Sequence, residues 1–85
     1  MDVRLGYGGE RLRLALPEGS TVLTALDKLG HERPEVYARW CDRSGRIRAS
    51  LGVFVNSEHV RYRDGLDTQL SDGDVVYVIP RIAGG

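Results

Sequence analysis

The sequence predicts an α+β fold: a mixed β-sheet of four to five strands with one main helix packed on one face. Three observations predict it. Alternation of apolar and polar residues in "RLRLAL" and a strongly apolar, β-branched run in "VVYVIP" mark strands near both ends of the chain. A single well-formed amphipathic stretch, "TVLTALDKL", lies between them. Turn residues divide the rest, so the order reads strand, strand, helix, helical turn, strand, strand, strand, which one helix layer on one sheet satisfies most simply.

Each element follows from its residues. Residues 3–5 and 11–16 form a hairpin around the glycine-rich turn 6–9, with leucines on one face and arginines on the other, and Pro17 and Gly19 end it. The "GYGG" turn lacks the spacing of a dinucleotide fingerprint and the lysine-serine of a phosphate loop. In the helix, Ser20 or Thr21 caps the first turn, Val22, Leu26 and Leu29 share a face, and Gly30 is expected to close the last turn. Pro34 suits the first position of a second short helix reaching Cys41. Residues 42–50 read as a polar loop, and "LGVFVN" as a strand covered on at least one face. Asn56 and Ser57 turn the chain into a short partner strand over residues 59–62, "DGLDTQL" is irregular, and "SDGD" is a turn before the last strand. Pro80 has no N–H to give a sheet, so regular pairing is expected to end there. The first and last strands lie parallel and adjacent, joined by a right-handed crossover, which gives a β-grasp topology.

Size and composition narrow the function. An 85-residue chain buries little more than about 60% of its unfolded surface, enough for one modest core without a deep catalytic cavity. Twelve basic residues balance twelve acidic ones, which leaves little electrostatic drive toward nucleic acid. Cys41 is the sole cysteine, so neither an internal disulfide nor a thiolate metal cluster can form, and a cytoplasmic setting is expected. The first residues lack an apolar signal segment, and no stretch is apolar enough to span a membrane. Cys41, beside Trp40 and Tyr37, reads as a small buried hydrophobe. His31 and His59 have no metal-ligand spacing and are expected at the surface. Ser57, Glu58 and His59 alternate faces and form no catalytic relay, while Asp72 and Asp74 fit a turn about Gly73. No catalytic or metal-binding residue is assigned.

The "FVN" strand and turn (Phe54, Val55, Asn56), the approach to the last strand (Leu70, Asp72, Gly73, Asp74, Val76) and the terminal Gly84-Gly85 appear in an order that resembles the ThiS/MoaD family of sulfur carrier proteins, relatives of ubiquitin. "VNSEHVRYRDGLDT" and "PRIAGG" look most like the carriers that serve cysteine biosynthesis. The resemblance implies a ubiquitin-like β-grasp domain over residues 1–80 and a flexible tail over residues 81–85. It implies an E1-like activating enzyme that uses ATP, a sulfurtransferase, a thiocarboxylate product and a sulfur-accepting biosynthetic enzyme of the cysteine, thiosugar, thiamine or molybdopterin type. No cofactor is expected on the carrier, which would act as a monomeric protein cosubstrate.

The residues themselves support that chemistry. A carboxylate is a poor electrophile until ATP converts it to an acyl-adenylate, and a terminal glycine carries no side chain to obstruct attack. Gly85 is therefore the expected reacting residue, with Arg81, Ile82, Ala83 and Gly84 the segment that threads into a partner's channel. Small tail residues carry little specificity, so the folded body must supply contacts, for which Phe54, Val60 and Pro80 are the candidates. Two rival functions share these features: a ubiquitin-like modifier that joins Gly85 to lysines, and an interaction domain without tail chemistry.

Overall fold

The computed structural model describes residues 1–7 and 10–80, and the expectations for Arg81, Ile82, Ala83, Gly84 and Gly85 lie outside the described residues. Strands β1 (Asp2–Tyr7), β2 (Glu10–Ala15), β3 (Leu51–Val55), β4 (Glu58–His59) and β5 (Val75–Pro80) form one sheet in the order β2-β1-β5-β3-β4. Helices α1 (Val22–Glu32) and α2 (Pro34–Trp40) connect β2 to β3. Strand β5 occupies the centre, parallel to β1 and antiparallel to β3, as the β-grasp reading requires.

Alternation puts Val3 and Leu5 of β1, Val53 and Val55 of β3, and Val76 and Val78 of β5 on one face of the sheet, where all are buried. Against them α1 lays Val22, Ala25, Leu26 and Leu29, and α2 adds Val36 and Trp40. Thr21 caps α1 through a reciprocal pair with Thr24: each residue's hydroxyl accepts the other's backbone N–H, at 3.3 and 3.1 Å.

Three boundaries differ from the sequence reading. Gly30 lies inside α1, which continues to Glu32. A Cβ at Gly30 would sit 3.3 Å from the Tyr37 ring, so this glycine lets α2 pack close to α1. Pro34 ends the first helix instead, by forcing Arg33 out of the helical region (φ −137°, ψ 69°). Strand β1 likewise runs through Gly6 to Tyr7, beyond the expected turn start, and Gly6 pairs with both Arg11 and Tyr77. The partner strand expected over residues 59–62 is two residues long, followed by a 3-10 turn over Val60–Tyr62. His59 Nδ1 accepts the N–H of Arg61 at 3.0 Å, so that donor turns to a side chain rather than to the sheet ladder.

The two stretches either side of β5's start are latched together. Asn56, at φ 57°, turns β3 into β4, and its amide accepts the Val75 N–H at 3.1 Å while donating to Asp74 Oδ1 at 3.1 Å. Asp72 Oδ1 accepts the N–H of Asp2 at 2.7 Å, and the Arg4 N–H donates to the Asp74 carbonyl at 3.0 Å. The "DGD" turn therefore fixes β1, β5 and the β3–β4 turn against one another. Replacing Asn56 with alanine removes two hydrogen bonds and strains a left-handed backbone, a loss of roughly 2–3 kcal/mol. Asn56→Gly keeps the backbone freedom and should lose less, so urea unfolding midpoints should fall in the order wild type, Asn56→Gly, Asn56→Ala.

Candidate functional site

The helices cover one sheet face and leave the other open. Across that open face the register sets a row: Gly6 of β1 opposite Tyr77 of β5, Tyr77 opposite Phe54 of β3, and Phe54 opposite His59 of β4. Two glycines make room for the rings. A Cβ at Gly6 would lie 2.9 Å from Tyr77 Cδ1, and one at Gly52 would lie 3.3 Å from His59 Nε2 and 3.6 Å from Phe54 Cε1. The rings of Phe54 and His59 meet edge to face with centroids 4.9 Å apart. Tyr62 extends the row beyond His59 at 6.4 Å, with the Arg61 guanidinium 5.5 Å from its centroid.

Ile79 belongs to the same face, one strand repeat beyond Tyr77 and opposite Gly52, and is 46% exposed. Tyr62 is 74% exposed. An apolar and aromatic patch thus lies on the outer surface of β5, β3 and β4, and from Tyr77 to Pro80 the strand covers only about 10 Å. The last described residue, Pro80, is exposed and pairs with Leu51 beside this patch.

Of the contact candidates named from sequence, Phe54 is half-buried on the open face and Pro80 is exposed at its margin. Val60 is a correction: it is 6% exposed and belongs to the hydrophobic core, because the 3-10 turn after β4 swings it inward. Sequence reasoning missed Tyr77, Gly6 and Gly52. The alternation in "VVYVIP" already placed Tyr77 and Ile79 together, opposite Val76 and Val78, and was the available signal for the first of these.

The other chemistry-bearing groups are structural. Cys41 is 3% exposed, and burial pushes its thiol above the ordinary range, with hydrogen bonding to Tyr37 opposing the shift. It is a protonated, enclosed thiol at neutral pH. His31 is exposed, and its Nδ1 lies 2.9 Å from the Asp27 carbonyl. His59 is half-buried in the aromatic row rather than free at the surface. Among the described residues no cluster of histidine, cysteine and carboxylate groups could hold a metal, and no helix is long and apolar enough to cross a membrane.

A five-stranded grasp with β5 at its centre, leading directly into a segment that ends in two glycines, matches the sequence profile of the ThiS family over residues 6–85. The chain belongs to the ThiS family. ThiS-family relatives divide between two descriptions. A putative sulfur carrier protein of Archaeoglobus fulgidus is 42% identical over 43 residues, a match spanning 51% of this chain and 49% of that protein. The sulfur carrier protein CysO of Mycobacterium tuberculosis is 33% identical over 69 residues, covering 79% of this chain and 74% of the relative. The small archaeal modifier protein 3 of Haloferax volcanii is 42% identical over 78 residues, covering 92% and 84%. Among solved structures, the Amycolatopsis orientalis BexX/CysO complex contains a chain that superposes with a TM-score of 0.72 at 27% identity, covering 98% of this ThiS-family chain and 99% of its own.

Proposed function

We propose that this ThiS-family chain is a sulfur carrier in which the Gly85 carboxylate is adenylated by an E1-like enzyme at the expense of ATP and then converted to a thiocarboxylate. The carboxylate oxygen attacks the α-phosphorus of ATP and pyrophosphate leaves. Sulfide or a persulfide sulfur then attacks the acyl carbon and AMP leaves, so that one oxygen of the carboxylate is replaced by sulfur. With a persulfide donor the sulfur–sulfur bond must also be cleaved reductively, by a thiol. The carrier supplies the acyl group and the partners supply the catalysis.

The observation that carries this reading is the position of β5. The central strand is hydrogen-bonded on both sides at its start, and it delivers the chain at Pro80 beside an exposed apolar patch. The body can dock through Phe54, Tyr77 and Ile79 while residues 81–85 reach into an active site. The A. orientalis CysO, a similar fold crystallised in complex with BexX, supports a role in which the body is held by a partner. Carriage toward cysteine biosynthesis is favoured by the likeness to CysO, and the sulfur-accepting enzyme is proposed to dock on the same patch.

A second reading is favoured by the likeness to the small archaeal modifier protein 3: the same adenylate passes to a lysine and forms an isopeptide bond. Both uses begin with adenylation. The test is ATP–pyrophosphate exchange by an E1-like adenylating enzyme: exchange should depend on adding this chain and saturate with its concentration. An enzyme that activates other ThiS-family carriers but shows no exchange with this chain, across a panel of such enzymes, contradicts the reading.

A further inference from the structure

The chain's cationic surface is built almost wholly from arginine. Of its twelve lysine and arginine residues, Lys28 is the single lysine. The difference is chemical. A guanidinium stays protonated at any physiological pH and does not attack acyl groups, whereas an ammonium that gives up its proton is a competent nucleophile. A protein with an activated acyl end therefore presents one side-chain amine to other copies of itself.

Lys28 is also placed where a second copy could reach it. It lies on α1, the helix on the opposite sheet face from the Phe54–Tyr77 row, so docking through that row leaves it uncovered. Its side chain is 38% exposed and its Nζ is 3.2 Å from Glu32 Oε2 on the next turn. That exposed pair contributes little stability and is readily broken, so it does not hold the amine away from an incoming acyl group. The α-amine and the thiol are hindered. The Met1 ammonium donates to the Leu16 carbonyl at 2.8 Å in a partly buried setting, and Cys41 is enclosed.

We infer that Lys28 is the one acceptor position for self-conjugation, so that copies of this chain join through a single linkage, the Gly85 acyl carbon to Lys28 Nζ. The step rests on the proposed adenylation of Gly85. The ammonium loses a proton to solvent base, the freed amine attacks the acyl carbon, AMP departs with the bonding pair, and an amide remains. With sulfide present the thiocarboxylate competes for the same adenylate, so linkage is favoured when sulfur is scarce.

The test uses the 85-residue chain, ATP with magnesium, the adenylating enzyme that supports pyrophosphate exchange with it, and no sulfur donor. A dimer resistant to thiols and hydroxylamine is expected, and trypsin should leave residues 82–85 attached to Lys28 and fail to cut there. Lys28→Arg preserves the charge and should reduce the dimer at least tenfold while exchange proceeds as in wild type. Exchange without a dimer, or a dimer that persists in Lys28→Arg, overturns this inference and leaves the carrier reading standing. Absence of exchange overturns both.

Discussion

Appending a single alanine after Gly85 is expected to abolish adenylation while leaving the fold intact. One added residue moves the carboxylate by about 3.8 Å along the chain. Catalysis that depends on positioned reactants loses on the order of a hundredfold for a displacement of about 1 Å, so exchange should fall by at least that factor. The added side chain compounds the loss in a channel that admits glycine. Strand β5 ends at Pro80, and every buried core residue named above precedes it, so the urea midpoint should be unchanged. A retained exchange rate would make the terminal position irrelevant and would favour a binding domain whose glycines are incidental.

The second large effect concerns the open sheet face. Phe54→Asp and Tyr77→Asp each place a charge in the apolar row that is proposed to meet the activating enzyme. Buried aromatic anchors at interfaces are worth about 2 kcal/mol or more, a factor of roughly thirty in affinity, and the double variant should exceed a hundredfold. The loss should appear in the KM for the carrier, with kcat recovered at saturation, because the row lies away from the reacting carboxylate. Both side chains are only half-buried, so unfolding measurements should show a much smaller change than either would cause in the core. A fall in kcat alone, or a loss of affinity matched by loss of folding, would remove the row from the docking surface. Asp substitutions at Arg4 and Arg13, directly opposite each other on β1 and β2, provide controls on the same sheet face but outside the aromatic row.

The residues that carried the family resemblance prove to be largely architectural. Asn56 and Asp74 read as turn residues from sequence, and both are, but their hydrogen bond to each other joins segments distant along the chain, which no local pattern reports. Gly6 and Gly30 show the same limit more sharply. Each was read as punctuation, because glycine permits turns and helix ends, and each instead makes room for a tyrosine ring supplied by another element, Tyr77 or Tyr37. The topology was legible because it rests on periodicity and order: the alternation of the β1–β2 hairpin, the apolar run of β5, the capped helix and the crossover between them. The open face was legible in Phe54 and the margin residue Pro80. It was misread at Val60, since the 3-10 turn that follows β4 depends on the His59 ring accepting a backbone N–H.

The most direct measurement is the mass of the C-terminal peptide after the chain is incubated with ATP, magnesium, the activating enzyme and sulfide. Trypsin cleavage after Arg81 releases residues 82–85. Exchange of one carboxylate oxygen for sulfur should make that peptide heavier by about 16 Da, with pyrophosphate and AMP released in step. A peptide of unchanged mass while ATP is consumed in a carrier-dependent manner, or added sulfur found at Cys41 instead, would contradict the account.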